Sequence, residues 1–110
     1  MYETEHHFFK IIHSRKSVRN FTGRNVEVEL LKKIIKAGMA APTAVNQQPW
    51  DFIAISDRTI LDKLADGLPY AKMLYTAGAA IIVCSDASKA YNSSNDFAII
   101  DASLASQNIL

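Results

Sequence analysis

The C-terminal segment, residues 97–110, most strongly restricts how this chain can fold. It predicts a helix whose apolar residues cover most of its circumference, namely Ala98, Ile99, Ile100, Ala102, Leu104, Ala105, Ile109 and Leu110. A helix that is apolar nearly all round is a buried helix. It must therefore be central, with the other elements packed around it. No C-cap signal follows Leu110, which predicts missing sequence, a partner subunit, or both.

Apolar periodicity and turn residues predict the other elements. The predicted helices cover residues 3–13, 27–40, 57–67, 69–74 and 93–110. The predicted strands cover 50–55 and 79–84, and the second is apolar throughout, as is typical of a strand covered on both faces. Asp57 is placed to cap its helix and Gly67 to end it, while Ser93 and Asp96 have the spacing of a capping box. The length of 110 residues allows one domain, 1–110.

Charge and composition exclude several classes of protein. The net charge of +1 gives no general attraction to nucleic acid or to an anionic membrane. The single cysteine, Cys84, sits in an apolar run, which indicates a buried small residue and a reducing compartment. The N-terminal residues are too acidic and polar for a signal peptide, and no apolar run is long enough to cross a bilayer. We therefore expect a cytoplasmic protein.

The three histidines lack the spacing of a metal site, so no metal is expected.

Residues 14–19 form a first candidate binding segment, the basic loop. It holds three cations and two hydroxyls within six residues: Ser14, Arg15, Lys16, Ser17 and Arg19. Charge-assisted hydrogen bonds from such groups suit a phosphate, and the planar fork of arginine can bind two phosphate oxygens at once. Taken alone, however, the segment is more often a solvated basic loop after a helix.

Residues 41–50 form a second candidate segment. Two prolines, Pro42 and Pro49, stiffen its ends. Between them lie the side-chain amides of Asn46, Gln47 and Gln48, which both donate and accept hydrogen bonds and can therefore read the edge of a heterocycle. A rigid loop whose amides satisfy its own backbone is an equally good interpretation of this segment alone.

In this order along the chain, the two segments resemble the nitroreductase family of FMN-dependent oxidoreductases. Members open with a helix and an Arg-(Arg/Lys/His)-Ser-x-(Arg/Lys) segment, which stands here as residues 15–19. A second helix leads into an (Ala/Ser)-Pro-(Ser/Thr)-x-x-Asn-x-Gln-Pro-Trp loop, which stands here as residues 41–50. Residues 101–110 resemble the family's long central helix at the dimer interface. The resemblance implies an α+β fold, a mixed sheet flanked by helices, and a truncated chain, because family subunits are substantially longer.

The resemblance also implies roles for the basic loop. Arg15, Lys16 and Ser17 would hold the phosphate and ribityl chain of FMN. Arg19 would lie near the pyrimidine edge of the flavin. A cation there stabilises the negative charge that the reduced ring carries.

Further contacts are implied for the second segment and for one lysine. The residues that would reach the flavin of the other subunit of a homodimer are Pro42, Thr43, Ala44, Asn46 and Gln48. Lys72 resembles a family lysine near the pyrimidine. Pro69 stands where some members carry an asparagine, so one pyrimidine hydrogen bond is expected to be missing.

The activity implied by the resemblance is hydride transfer from NAD(P)H through the flavin to a nitroaromatic, a quinone or a similar acceptor. The chemistry would take place at flavin N5, so no catalytic side chain is expected. One alternative is a flavin-binding or dimerisation module without turnover. Another is a small phosphate-binding protein that uses Arg15, Lys16 and Arg19.

Overall fold

The computed structural model describes residues 2–110, and it describes side chains from His6 onward. Four α-helices and two strands form in this part of the chain. The helices are α1 (Tyr2–Ser14), α2 (Val28–Met39), α3 (Arg58–Gly67) and α4 (Asn95–Ile109), and the strands are β1 (Trp50–Ile55) and β2 (Ala80–Ser85). Short 3₁₀ turns lie at Ala44–Asn46, Lys72–Tyr75, Ala87–Lys89 and Tyr91–Ser93. The α+β prediction is confirmed.

The sheet of the described residues pairs β1 with β2 in antiparallel order. Trp50 lies opposite Ser85, and Ile55 lies opposite Ala80. The prediction for β1 is confirmed at both ends, and β2 is displaced by one residue from its predicted bounds. Helix α4 packs on this sheet. Most β2 residues are only half-buried, including Cys84, and Ile82 is 38% exposed. The prediction that other elements cover both faces of this strand is therefore not met within residues 2–110.

The core lies where α2 and α4 cross beside β1. Ala105 of α4 is fully buried and clusters with Ala41 and Trp50. Gly38 of α2 allows a close approach, since a Cβ there would stand 3.0 Å from the side chain of Ile109 and 3.2 Å from Phe52. Small residues at the crossing therefore bring the two helices together.

Helix α4 is buried along one face only. That face is formed by Ala98, Asp101, Ala102 and Ala105. On the other side Ile99, Ile100 and Leu104 are 57%, 53% and 41% exposed. The helix predicted to be buried all round thus presents an apolar surface to solvent in the described chain.

Two predicted helix starts are wrong in detail. The N-cap of α4 is Ser94, whose hydroxyl accepts a hydrogen bond from the Phe97 amide at 3.3 Å, and not Ser93. Ser93 has a φ of 49° at the end of a 3₁₀ turn, whereas an N-cap residue needs extended backbone. The short helical turn predicted to start at Pro69 begins instead at Lys72.

The other predicted helix signals are confirmed. The Asp57 carboxylate accepts hydrogen bonds from the amides of Thr59 at 2.8 Å and Ile60 at 3.2 Å, and α3 ends at Gly67. Within residues 2–110, no helix is both long enough and apolar enough to cross a lipid bilayer.

Candidate functional site

Two of the predicted site residues, Arg19 and Lys72, line the same cleft, here called the cationic cleft. Its volume is about 760 Å³, which lies within the range of small-molecule sites. Arg19 comes from the loop after α1 and Lys72 from the 3₁₀ turn after α3. The remaining lining residues are Asn20, Pro69, Tyr70, Met73 and Thr76. The fold therefore joins two positive side chains that are far apart in the sequence.

The ammonium group of Lys72 is held in place by its neighbours. Its Nζ donates a hydrogen bond to the carbonyl oxygen of Ala65 at 3.0 Å. It also lies 5.7 Å from the ring centroid of Tyr75, within range of a cation–π interaction. Because a lysine has three N–H donors, this arrangement orients the charge and leaves donors for a ligand in the cleft.

The turn that carries Lys72 is anchored by Arg58 of α3. The guanidinium donates to the carbonyl oxygen of Ala77 at 2.7 Å and also to that of Leu74. The same side chain forms an ion pair with Asp62 at 2.9 Å. Arg58 thus connects the helix to two carbonyl groups of the segment that follows Lys72. Sequence patterns gave no sign of this role.

The loop that carries Arg19 is attached to the same turn. The Phe21 amide donates to the Thr76 hydroxyl at 3.3 Å. At Gly78 the two segments almost touch, since a Cβ there would stand 1.9 Å from the carbonyl oxygen of Arg24. Only glycine fits such an approach. These contacts hold the loop that carries Arg19 against the segment that follows Lys72.

The predicted phosphate ligands lie apart from the cationic cleft. Arg15 lines a separate cleft of about 440 Å³ between α1 and the end of α4, together with Gln107 and Asn108. Lys16 and Ser17 are exposed and line neither cleft. Their side chains are therefore open to solvent and to a ligand in the described chain.

The amide loop, residues 42–48, lies elsewhere again, and none of its residues lines the cationic cleft. Three of its non-glycine residues have left-handed backbone: Val45 at φ 55°, Asn46 at 52° and Gln48 at 53°. The Thr43 hydroxyl accepts a hydrogen bond from the Gln48 amide at 3.1 Å, which ties the two sides of the loop. The Gln47 side chain donates to the Val45 carbonyl oxygen at 3.4 Å. One of the three side-chain amides therefore serves the loop's own backbone.

Asp101 of α4 makes a contact with the amide loop that the sequence pattern did not predict. It is 2% exposed, and both of its carboxylate oxygens lie 3.4 Å from the Ala44 amide nitrogen, from which they accept a hydrogen bond. A signal was present, because Asp101 is the charged residue within an otherwise uncharged helical segment, 97–110. A charge on the buried face of a helix needs a hydrogen-bond partner, and here the partner is the amide loop.

Acidic groups of the described residues form no metal centre. No group of three or more His, Cys, Asp or Glu side chains in this part of the chain could hold a metal ion. Away from the clefts, the Ser88 hydroxyl donates to Asp86 at 2.6 Å and lowers the pKa of that carboxyl, helped by Lys89.

The sequence and the fold match known proteins over most of the chain. The Nitroreductase family matches residues 12–68. A protein of Archaeoglobus fulgidus with the provisional name NADH dehydrogenase/NAD(P)H nitroreductase is 42% identical over 101 residues, which cover 92% of this chain and 58% of that protein. The chain thus spans a little over half the length of this relative.

Solved structures of similar proteins also match most of this chain. A crystal structure of a protein with the same provisional name, from Parabacteroides distasonis, is 48% identical with a TM-score of 0.82, covering 92% of this chain and 58% of that one. A second crystal structure is that of a Desulfovibrio desulfuricans protein, provisionally named a nitroreductase, in complex with FMN. It is 30% identical with a TM-score of 0.82, covering 92% of this chain and 58% of that one.

Proposed function

The chain belongs to the nitroreductase family, and we propose that the protein is an FMN-dependent oxidoreductase that accepts hydride from NAD(P)H. In this proposal the final acceptor is a nitroaromatic, a quinone or a similar small molecule. The relatives named as NAD(P)H nitroreductases and the FMN complex support the proposal. FMN would supply the hydride chemistry when bound, so the protein would need no nucleophile of its own.

The observation that carries this proposal is the cationic cleft. Arg19 and Lys72, which the family resemblance assigns to the pyrimidine edge of the flavin, line one cavity of suitable size. Two cations there would stabilise negative charge on the ring, and the Ala65 carbonyl would keep Lys72 oriented before the cofactor binds. Pro69 also lines the cleft and offers neither a side-chain amide nor a backbone N–H, so the pyrimidine hydrogen bond that an asparagine could make would be absent.

The remaining contacts would come from two exposed segments. Arg15, Lys16 and Ser17 would hold the phosphate and ribityl chain, since their exposed side chains offer charged and hydroxyl donors. The amide loop would reach the flavin of the partner subunit through Pro42, Thr43, Ala44, Asn46 and Gln48.

A homodimer is part of the proposal. The amide loop does not line the cationic cleft of its own chain, so a single chain would leave that loop without a cofactor to contact. The exposed apolar side of α4, with Ile99, Ile100 and Leu104, offers a surface that a second copy would cover. One buried interface would therefore account for both features.

The first test is FMN titration of the purified protein, followed by visible absorption and intrinsic fluorescence. We expect saturable binding, and Arg19→Ala and Lys72→Ala should each raise the FMN Kd about tenfold, in line with the loss of a charged hydrogen bond. Arg24→Ala is the matched control. Arg24 lies in the same loop but lines a neighbouring cleft, so its removal should leave the Kd unchanged.

Anaerobic addition of NADH or NADPH then tests turnover. Bleaching of the flavin band, followed by recovery on addition of a nitroaromatic or a quinone, is the expected result. Binding of FMN without reduction would support a flavin-binding or dimerisation module instead. A protein that binds no FMN at all would overturn the proposed function.

A further inference from the structure

We propose that Asp101 is a positioning residue, which holds the amide loop in the conformation that contacts the cofactor. The inference rests on the proposed function, because it assigns the loop to FMN. It adds a residue that would touch no ligand itself. Asp101 would act through the backbone of Ala44, where the loop begins its 3₁₀ turn.

The burial of Asp101 is the first argument. A carboxylate that is 2% exposed loses its hydration, a large cost unless hydrogen bonds replace it. The partner that the structure gives this carboxylate is the Ala44 amide, whose single N–H is shared between the two oxygens at 3.4 Å. The rest of the buried face of α4 is formed by alanines, which pack without any such cost. Packing on this face needs no charge, so we attribute the carboxylate at position 101 to its contact with the loop.

Backbone strain in the loop is the second argument. Val45, Asn46 and Gln48 all have positive φ, and a β-branched residue such as valine is rare there. Conformations of this kind persist where surrounding contacts determine them. Asp101 secures the Ala44 end, while the Thr43 hydroxyl secures the Gln48 amide at 3.1 Å. Loss of the Asp101 contact should therefore let the loop relax to other conformations.

Consequences for the loop's side chains follow from its geometry. Asn46 and Gln48 are exposed and follow the anchored amide directly. A loop that samples several conformations would present these amides in the binding geometry only part of the time. The apparent affinity for a ligand falls by the fraction of molecules in the competent conformation.

The test compares Asp101→Asn and Asp101→Ala with the wild-type protein. Asparagine has nearly the same shape and keeps one oxygen acceptor but loses the charge, whereas alanine removes the acceptor. We expect the FMN Kd to rise about threefold for Asn and about tenfold for Ala. The visible circular dichroism of bound FMN should change in the same order, because it reports how the ring is held.

Two controls separate positioning from general loss of stability. Asp96→Asn removes an exposed carboxylate from the same helix. Ile81→Ala weakens a half-buried position in β2. Both should leave the FMN Kd and the dichroism unchanged well below the melting temperature, even where Ile81→Ala lowers that temperature as much as Asp101→Ala does.

The outcomes are distinct. A wild-type protein that binds FMN, with both Asp101 variants matching its Kd and dichroism, would overturn the positioning role alone. If Asp101→Ala does not fold, Asp101→Asn decides: wild-type values in both measurements would overturn the role. A wild-type protein that fails to bind FMN would overturn the proposed function and this role together.

Discussion

The guanidinium of Arg58 donates a hydrogen bond to the carbonyl oxygen of Ala77 at 2.7 Å, across the turn that carries Lys72. The same group bonds the Leu74 carbonyl and the Asp62 carboxylate, so one side chain joins α3 to the wall of the cationic cleft. Lys72 itself donates to the Ala65 carbonyl of α3. The position of the Lys72 charge thus depends on a helix that does not line the cleft.

Replacement of Arg58 by alanine should loosen this turn. We expect the free energy of unfolding to fall by about 1–2 kcal/mol, less than for a fully buried charged hydrogen bond because the side chain is 45% exposed. The FMN Kd should also rise severalfold, since Lys72 would lose its fixed position. Urea denaturation and FMN titration measure the two effects. Lys63→Ala, at an exposed position of the same helix, should change neither, and equal effects from both variants would contradict the anchoring role.

Replacement of Gly78 by alanine should be strongly destabilising. The added Cβ would stand 1.9 Å from the Arg24 carbonyl oxygen, so the backbone of one segment would have to move. Such overpacking costs about 1–3 kcal/mol or more. Thermal and urea unfolding provide the measurement. Gly67→Ala is the control: its Cβ would meet nothing within 4 Å at the end of α3, so this change should be neutral or stabilising by up to about 1 kcal/mol.

Replacement of Arg15 by alanine should weaken the preference for FMN over riboflavin. The two ligands share the ring and the ribityl chain, and they differ by the phosphate that Arg15 is proposed to hold. We expect the FMN Kd to rise about tenfold or more while the riboflavin Kd stays the same. Parallel fluorescence titrations with both ligands measure the ratio of the two constants. An equal rise for both ligands would contradict a phosphate role, and Arg24→Ala should leave the ratio unchanged.

Local signals in the sequence were sufficient to place most elements. The bounds of β1 followed from its aromatic and β-branched residues. The start of α3 followed from Asp57, because an N-cap side chain accepts hydrogen bonds from amides only two and three residues further on. The N-cap of α4 was misplaced by one residue. Ser93 and Ser94 are both good caps by type, and what decides between them is the left-handed φ of Ser93, which local residue preferences do not reveal.

Contacts between distant segments were beyond sequence reasoning. Arg58 and Ala77, or Asp101 and Ala44, meet only after the chain has folded, and no spacing rule connects them. The clustering of Arg19 with Lys72 was expected from family resemblance and not from residue pattern. The roles of these side chains toward a flavin remain predictions, which the titrations above test.

Replacement of Ile100 by lysine should break the proposed homodimer. Ile100 is 53% exposed in the single chain and lies on the apolar side of α4 with Ile99 and Leu104. A charge buried without a partner at an interface costs several kcal/mol, enough to shift a dimer to monomer at micromolar concentration. Sedimentation equilibrium should show a dimer for the wild-type protein and a monomer for the variant. Lys33→Glu, on the exposed side of α2, should leave the dimer intact.

The same variant links assembly to cofactor binding. If the amide loop reaches the flavin of the partner subunit, the monomeric Ile100→Lys protein should bind FMN more weakly although its cationic cleft is unchanged. The FMN Kd should then improve as protein concentration rises, because dimerisation would restore the missing contacts. A monomeric variant with wild-type affinity at every concentration would show that one chain binds the cofactor alone and would contradict the role assigned to the amide loop.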